Sequence, residues 1–313
     1  MGIRSTLRQK AATLYRGHIE PSVTLAIRGR PRLDVSTLRT FGDYRRCLDV
    51  MTARHDRWVR SEWFRETTDR HRLKGYCAAC RGWKRFSIDY GLCSEFEGHR
   101  IPWWRETLTC PTCRLNTRMR LSTHLLEDNL RPSPDARIYL TEQITSLYAR
   151  TARRFRNVVG SEFLTDGTPR GEVNEAGIRR EDVTSLTFPG ASVDFILSLE
   201  VLEHVPDFKA ALREFARVLR PGGTLLLTAP FQAQERNLVR ARISQDGHVE
   251  HLEAPEYHGD PLSLHGCLCF YYFGWELVED LQTAGFADVA AYMCWSRDLA
   301  YLGANPVQFV ARR

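Results

Sequence analysis

The chain has 313 residues, 43% of them hydrophobic and 26% charged, with a mean hydropathy of −0.37, which is the composition of an ordinary globular protein. No apolar run approaches the ~20 residues of a membrane span. The basic start MGIRSTLRQKAATLYRGHIE lacks the apolar core of a secretory signal, so a cytoplasmic protein is the expectation, with an organellar presequence as the alternative its arginines leave open. The net charge of +6 is unevenly spread: residues 1–125 carry 25 Lys and Arg against 12 Asp and Glu, a net of +13, and the remainder carries −7. A basic front on an acidic body fits an anionic partner such as RNA, two modules that dock on each other, or a solvated helical surface.

Residues 1–75 read as a basic, mainly helical extension. In TLRTFGDYRRCLDVMTARHD the positions Leu38, Phe41, Tyr44, Leu48 and Met51 recur every three or four residues and form one apolar stripe. Residues 76–120 form a second unit, marked by CAAC (Cys77 and Cys80) and CPTC (Cys110 and Cys113), two pairs separated by 29 residues. Two residues between thiolates let a tight turn present both sulfurs to one tetrahedral ion. The four cysteines therefore predict a closed, structural Zn²⁺ site in a zinc-ribbon-like module. The other five cysteines show no such pairing and read as small buried hydrophobes.

RPSPD (131–135) reads as a loop, and residues 121–313 as an α/β domain. RIYLT starts at 137 as a strand and runs into a helix ending near Phe155, and NVVGSEF (157–163) is the next strand. SVDFILSLE (192–200) is an apolar run of the kind buried on both faces of a parallel sheet. DFKAALREFARVLRPGG follows as a helix with Ala211, Leu212, Phe215, Val218 and Leu219 as its buried stripe and Pro221–Gly222–Gly223 as its stop. TLLLTAP is a strand and WELVEDLQTAGF a helix with Gly285 as its C-terminal glycine; AYMCW and PVQFVA close as strands. This alternation predicts a doubly wound α/β sheet, whose ligands sit beyond the carboxyl ends of its strands.

EDVTSLTFPGASVDFILSLEVLEHVPDFKAALREFARVLRPGGTLLLTAPF (181–231) resembles the second half of a class I S-adenosylmethionine-dependent methyltransferase: the Ser–x–Asp strand opening, LEVLEHVPD, REFARVLRPGG and the strand ending Ala229–Pro230–Phe231 follow in that family's order. With VVGSEF and the closing strands, the resemblance covers about residues 136–313. It implies a Rossmann-like sheet and S-adenosyl-L-methionine as cofactor. Glu162 stands where the family's acid grips the ribose hydroxyls. Asp182 stands where a side chain accepts from the adenine amino group, with Val183 against the ring, and Glu200 through His204 line the floor below the reactive methyl. The family's first turn is glycine-rich, whereas this chain has Leu140–Thr141–Glu142–Gln143–Ile144 there. The cofactor's methionine half carries no pyrophosphate, so Thr141 and Glu142 form a variant turn in which Glu142 could accept from the cofactor's ammonium.

An oxygen acceptor requires a base. His204 is the first candidate, with a purely structural histidine as the alternative. DGHVEHLEAPEYHGDPLSLHG (246–266) follows the fifth strand and carries His248, His251, His258 and His265. Here His251 or His258 could capture substrate or act as base, and the stretch could equally be a plain polar lid. Its histidines and carboxylates would also allow a metal, although their spacing matches no established metal pattern. The leading expectation is O-methylation of a small molecule or glycan. RNA or protein methylation is the alternative, with Arg114, Arg118, Arg120 and the aromatics Trp83, Phe86, Trp103 and Trp104 gripping a polymer. A non-catalytic scaffold is the third reading. The sequence leaves the oligomeric state open.

Overall fold

The computed structural model describes residues 29–63, 71–303 and 307–313. In chain order these form β1 (Ser36–Leu38), α1 (Phe41–Ser61), β2 (Arg72–Cys77), β3 (Gly82–Ile88), β4 (Cys93–Phe96), β5 (His99–Pro102), α2 (Trp104–Thr107), β6 (Leu108–Thr109) and α3 (Thr117–His124). There follow β7 (Arg137–Leu140), α4 (Ser146–Arg154), β8 (Asn157–Gly160), β9 (Val193–Leu199), α5 (Phe208–Val218) and β10 (Leu219–Thr228). The C-terminal part adds β11 (Leu238–Val239), β12 (Ala241–Ile243), β13 (Val249–His251), β14 (Tyr257–Asp260), β15 (Ser263–Leu268), β16 (Tyr271–Tyr272), α6 (Glu276–Thr283), β17 (Asp288–Met293) and β18 (Val307–Arg312).

A seven-stranded sheet in the order β1-β17-β18-β10-β9-β7-β8 organises the chain. β8, β7, β9 and β10 run parallel, and β18, β17 and β1 complete the sheet by antiparallel pairing. The apolar run of β9 is buried along almost its whole length, as its composition predicts. α5 starts on Asp207, whose side chain accepts from the Ala210 amide, and buries the expected stripe. It ends at Val218, and Leu219–Gly223 already belong to β10, where a register shift against β9 absorbs the Pro–Gly–Gly turn. The chain crosses from β7 through α4 to β8 on one side, while β9 lies on the other. The carboxyl ends of β7 and β9 thus flank a switch point, the place where open α/β sheets bind ligands.

Only residues 41–61 of the expected helical extension are helical among those described; residues 1–28 and 64–70 lie outside the description. β1 instead extends the main sheet, pairing Ser36 with Met293. α1 braces the sheet: the Tyr44 ring meets Phe231 at 5.3 Å and Trp275 at 5.6 Å between centroids. At its other end Trp58 meets Trp104 at 5.5 Å and Trp295 at 6.2 Å.

The cysteine unit is a small sheet, β2-β3-β6, that starts at Arg72, with the β4–β5 hairpin beside it. It shares one hydrophobic core with the large sheet. Arg120, fully buried, donates to the Leu299 and Ala300 carbonyls at 3.0 and 2.9 Å and lies over the Phe86 ring at 4.1 Å. α2 sends Arg105 to Glu200 at the end of β9, where it donates to both carboxylate oxygens at 3.0 and 2.5 Å. Arg118 donates to both oxygens of Glu106 at 2.9 and 3.2 Å and lies 3.9 Å from Glu200. Against the upward push of burial, Arg105 and Arg118 hold the Glu200 carboxyl at about 2.

Arg105→Ala leaves a buried carboxylate short of its main partner and should destabilise the fold by about 3 kcal/mol. The double variant Arg105→Met/Glu200→Met should lose less than either single variant. Chemical denaturation of the three variants checks this, and an additive double variant would count against a buried pair.

Candidate functional site

Three strands deliver the site. β7 is followed by Thr141 and Glu142, β8 by Ser161 and Glu162, and β9 by Glu200 and then a 3-10 turn, Leu202–His204. Thr141 is buried, with its amide on the Leu197 carbonyl at 3.1 Å and its hydroxyl on Ser198 at 3.2 Å. Residues 141–145 form an irregular turn, and the helix expected directly after the strand begins only at Ser146, where Thr145 caps it through the Tyr148 amide. The turn carries no glycine because the space comes from the neighbouring strand. A Cβ on Gly160 would lie 2.6 Å from the Tyr148 ring and 2.7 Å from the Glu142 carbonyl oxygen, distances no side chain tolerates.

The turn's amides have an internal anion. Glu162 Oε1 accepts from the Gln143 and Ile144 amides at 2.6 and 2.9 Å. Burial raises the Glu162 carboxyl above its ordinary value, those amides pull it down, and Asp260 pushes it up again. Gln143 ties the turn outward, with its side-chain oxygen taking the Arg179 amide at 2.7 Å. Glu162 pairs through its backbone with Arg179 and Glu181, which brings Asp182 beside it in the chain path. Asp182 Oδ1 closes a turn onto Thr184 at 2.8 Å from the amide and 2.6 Å from the hydroxyl, and Val183 is half-buried against the core.

Glu142 is the exceptional carboxylate. Its Oε1 is sealed from solvent and meets no hydrogen-bond partner among the described residues. Burial pushes the group up to about 7, with Thr145 and Arg118 lowering it and Glu162 raising it. Glu200 is engaged by Arg105, so the structure places it as a clamp between α2 and the rim more than as an open ligand contact. Its backbone stands at φ 57, a conformation that costs a non-glycine residue of order 1 kcal/mol and that this pairing holds in place.

Below the rim, Glu203 is fully buried with both carboxylate oxygens unpartnered. Burial raises its carboxyl, against the lowering influence of His258 and His204. His204 Nε2 lies 3.6 Å and His258 Nδ1 3.8 Å from Glu203 Oε1, and the two imidazoles meet edge to face at 5.1 Å. His258 is pushed up to about 11 by the Cys269 sulfur, then by Glu203 and Glu256. His204 and His258, far apart in sequence, therefore come together. His251 does not join them: it is exposed on β13, opposite Ala241 in the β12–β13 hairpin. His248 and His265 are exposed as well. The β14–β15 hairpin crosses the rim, since Asp260 acts on Glu162 at one end and Cys267 feels Glu203 at the other.

The four cysteines converge. The Cys77 and Cys113 sulfurs lie 3.8 Å apart, as do those of Cys80 and Cys110, and all four lie within 4.8 Å of one another. Sulfurs about 2.3 Å from one tetrahedral zinc stand about 3.8 Å apart, so the donor set fits such an ion. Of the arginines expected to grip a polymer, Arg114 is exposed, half-buried Arg118 pairs with Glu106, and buried Arg120 donates to backbone carbonyls; Phe86 and Trp104 belong to the core. Trp103 is exposed beside a cavity of about 600 Å³, lined also by His55, Val59, Phe96 and Arg105. That cavity reaches the sheet rim at Arg105.

Sequence reasoning did not assign roles to Arg105 or Gly160. A glycine directly before the Ser–Glu strand end was the available signal for the second; Arg105 had none, because its partner lies 95 residues away.

A family model described as a methyltransferase domain matches residues 141–227. Among curated proteins, the chain is 32% identical over 126 residues to a Mycobacterium tuberculosis protein named "Probable S-adenosylmethionine-dependent methyltransferase", covering 40% of this chain and 36% of that protein. It is 50% identical over 46 residues to the 27-O-demethylrifamycin SV methyltransferase of Amycolatopsis mediterranei, covering 15% and 17%. The chain thus spans about a third of the length of the first curated relatives it matches. Among solved structures, an S-adenosylmethionine-dependent methyltransferase from Mesorhizobium loti aligns with 19% identity and a TM-score of 0.39, over 61% of this chain and 98% of that one. Residues 141–227 are thus similar to a methyltransferase domain, and they lie on a Rossmann-like α/β sheet.

Proposed function

We propose that the chain is an S-adenosylmethionine-dependent methyltransferase acting on a hydroxyl of a small molecule or glycan, with the four cysteines holding a structural zinc. The observation that carries this reading is Glu142, a buried carboxylate with an unpartnered oxygen at the switch point between β7 and β9. Such an oxygen suits the ammonium of the cofactor's methionine half, in a charge-assisted hydrogen bond. Glu162 keeps one oxygen on the turn amides and offers the other to the ribose diol, and Asp182 and Val183 follow for the adenine. When bound, the cofactor supplies an electrophilic methyl, and the protein's own task is positioning and exclusion of water. The β14–β15 hairpin over the rim suits a small acceptor, and the internal contacts of Arg118 and Arg120 take two of the three named arginines from a polymer. The histidine–carboxylate group under the rim is the element that would activate the acceptor oxygen.

Glu162→Ala should abolish cofactor binding in calorimetry while the circular dichroism of the fold persists; unchanged affinity would refute this placement of the ribose. Incubation with methyl-labelled cofactor and separate pools of hydroxylated small molecules, glycans, RNA and protein should label the first or second pool. Label in RNA or protein instead would overturn the acceptor class, and label nowhere, with no cofactor bound, would leave a scaffold.

The sign of the pH response follows from Glu142. An ordinary glutamate titrates near 4.5 and this one near 7 in the folded chain, so ionisation costs stability as pH rises through that window. Glu142→Gln should leave apo stability unchanged at pH 4 and raise it at pH 8 by up to about 3 kcal/mol. Wild-type cofactor affinity should rise between pH 6 and pH 8, and the Gln variant should bind at least about tenfold more weakly with most of that dependence gone. Thermal melts and calorimetry at these pH values test both statements.

A further inference from the structure

Glu203 poses a problem that the proposed cofactor site leaves unsolved. Its side chain is fully buried, in the 3-10 turn that follows β9, and neither oxygen has a hydrogen-bond partner among the described residues. A carboxylate in that state costs several kcal/mol unless a cation or a proton meets it. The groups facing it are two imidazoles at 3.6 and 3.8 Å, too far for hydrogen bonds.

Each imidazole is anchored from behind. His204 Nδ1 lies 2.8 Å from the Leu268 carbonyl oxygen, so it carries the proton and leaves Nε2 as a lone pair. His258 Nε2 lies 3.0 Å from Glu256 Oε1, which leaves Nδ1 turned toward Glu203. Glu256 is in turn held by the Tyr272 hydroxyl and by Arg240 at 3.1 Å. A backbone carbonyl behind one ring and a braced carboxylate behind the other are the outer contacts by which metal-binding histidines are oriented. One oxygen and two nitrogens lie within 4.8 Å of one another. Ligands about 2.0–2.1 Å from a tetrahedral ion stand about 3.3–3.4 Å apart, so each nitrogen needs to close on the Glu203 oxygen by only a few tenths of an ångström.

We propose that Glu203, His204 and His258 bind a divalent transition-metal ion of the zinc class, in a three-ligand site with its fourth position open. Two imidazoles and one carboxylate select such an ion over magnesium or calcium, which prefer all-oxygen shells. The site differs in kind from the four-cysteine cluster, which closes its shell with protein sulfur and leaves no position for chemistry. The role of the ion, though not its binding, rests on the methyltransferase reading. In that role the acceptor hydroxyl occupies the open position and its proton departs to water. The oxygen then forms the new bond to the methyl carbon while the carbon–sulfur bond breaks and its electron pair stays on sulfur.

Metal counting and cobalt substitution on the full chain test the site without any assay of activity. The wild type should hold one equivalent more zinc than Glu203→Gln or His258→Ala. Cobalt-loaded wild type should show the thiolate charge-transfer bands of the cysteine cluster together with weaker visible bands of a thiolate-free site. The two variants should lose only the second set, and their retained thiolate bands and circular dichroism report an intact fold. A wild type without the thiolate-free signal, or variants that keep it, would overturn the proposal and make the cluster a buried ion pair. Loss of the metal with cofactor binding retained sinks this site alone, and a bound metal with no cofactor binding sinks the methyltransferase reading alone.

Discussion

The contact on which the rest of the structure turns is the ionic group that joins the cysteine unit to the sheet. Arg105 and Arg118 come from residues flanking the second cysteine pair, Glu106 lies between them in the chain, and Glu200 ends β9. Removing any one member leaves a buried charge, so the group sets the unit's position on the sheet more firmly than apolar packing alone would. On the proposed reading, it would also tie the four-cysteine unit to the function. If a structural ion fixes CPTC, the path to Arg105 and Arg118 is fixed with it, and so is the carboxylate they clamp at the rim. Folding energy stored far from the chemistry then controls the geometry of the floor.

The glycine-free turn is a second case of a constraint displaced from its expected place. A first turn between strand and helix must bring backbone close to whatever lies beyond the sheet. Here the requirement is met by Gly160 on the neighbouring strand, against the Glu142 carbonyl and the Tyr148 ring, and by Glu162, which collects the amides a ligand anion would otherwise take. On the proposed reading, the turn receives a cation. A phosphate-bearing ligand would meet carboxylates there in place of free amides.

The order of the main-sheet strands and their helices from residue 137 was legible because each carries its own period, β9 as a continuous apolar run and α5 as a stripe between Asp207 and a Pro–Gly–Gly turn; the short strands β11–β16 were not, and residues 246–266 read as a loop. The four cysteines were legible because their spacing is local. What stayed hidden depends on pairings across long separations. β1 reads as the start of a helical stripe until Met293 pairs with Ser36. Arg118 and Arg120 read as part of a basic surface until Arg118 is found paired with Glu106 and Arg120 buried against the Leu299 and Ala300 carbonyls. His258 could not be told from His251 by sequence, since both sit in one polar segment seven residues apart; only the register of β14 with β15 turns one inward. The helical reading of residues 1–28 and 64–70 falls outside the described residues.

Charge at the rim argues for the class of ligand. Glu142, Glu162, Glu200, Glu203 and Asp260 act on one another there, with Arg105 and Arg118 as the arginines acting on them. The arginines neutralise Glu200 and Glu106 and leave the remaining carboxylates in excess, which is why burial and mutual repulsion raise Glu142, Glu162 and Glu203 together. A pocket in that state gains most from a ligand that brings positive charge with it. S-adenosylmethionine brings an ammonium and a sulfonium against one carboxylate, a net charge of one, and methyl transfer removes the sulfonium. On the proposed reading, the same excess of carboxylates that draws the cofactor in would therefore hold the demethylated product less tightly, so that turnover is favoured by the field that makes binding strong.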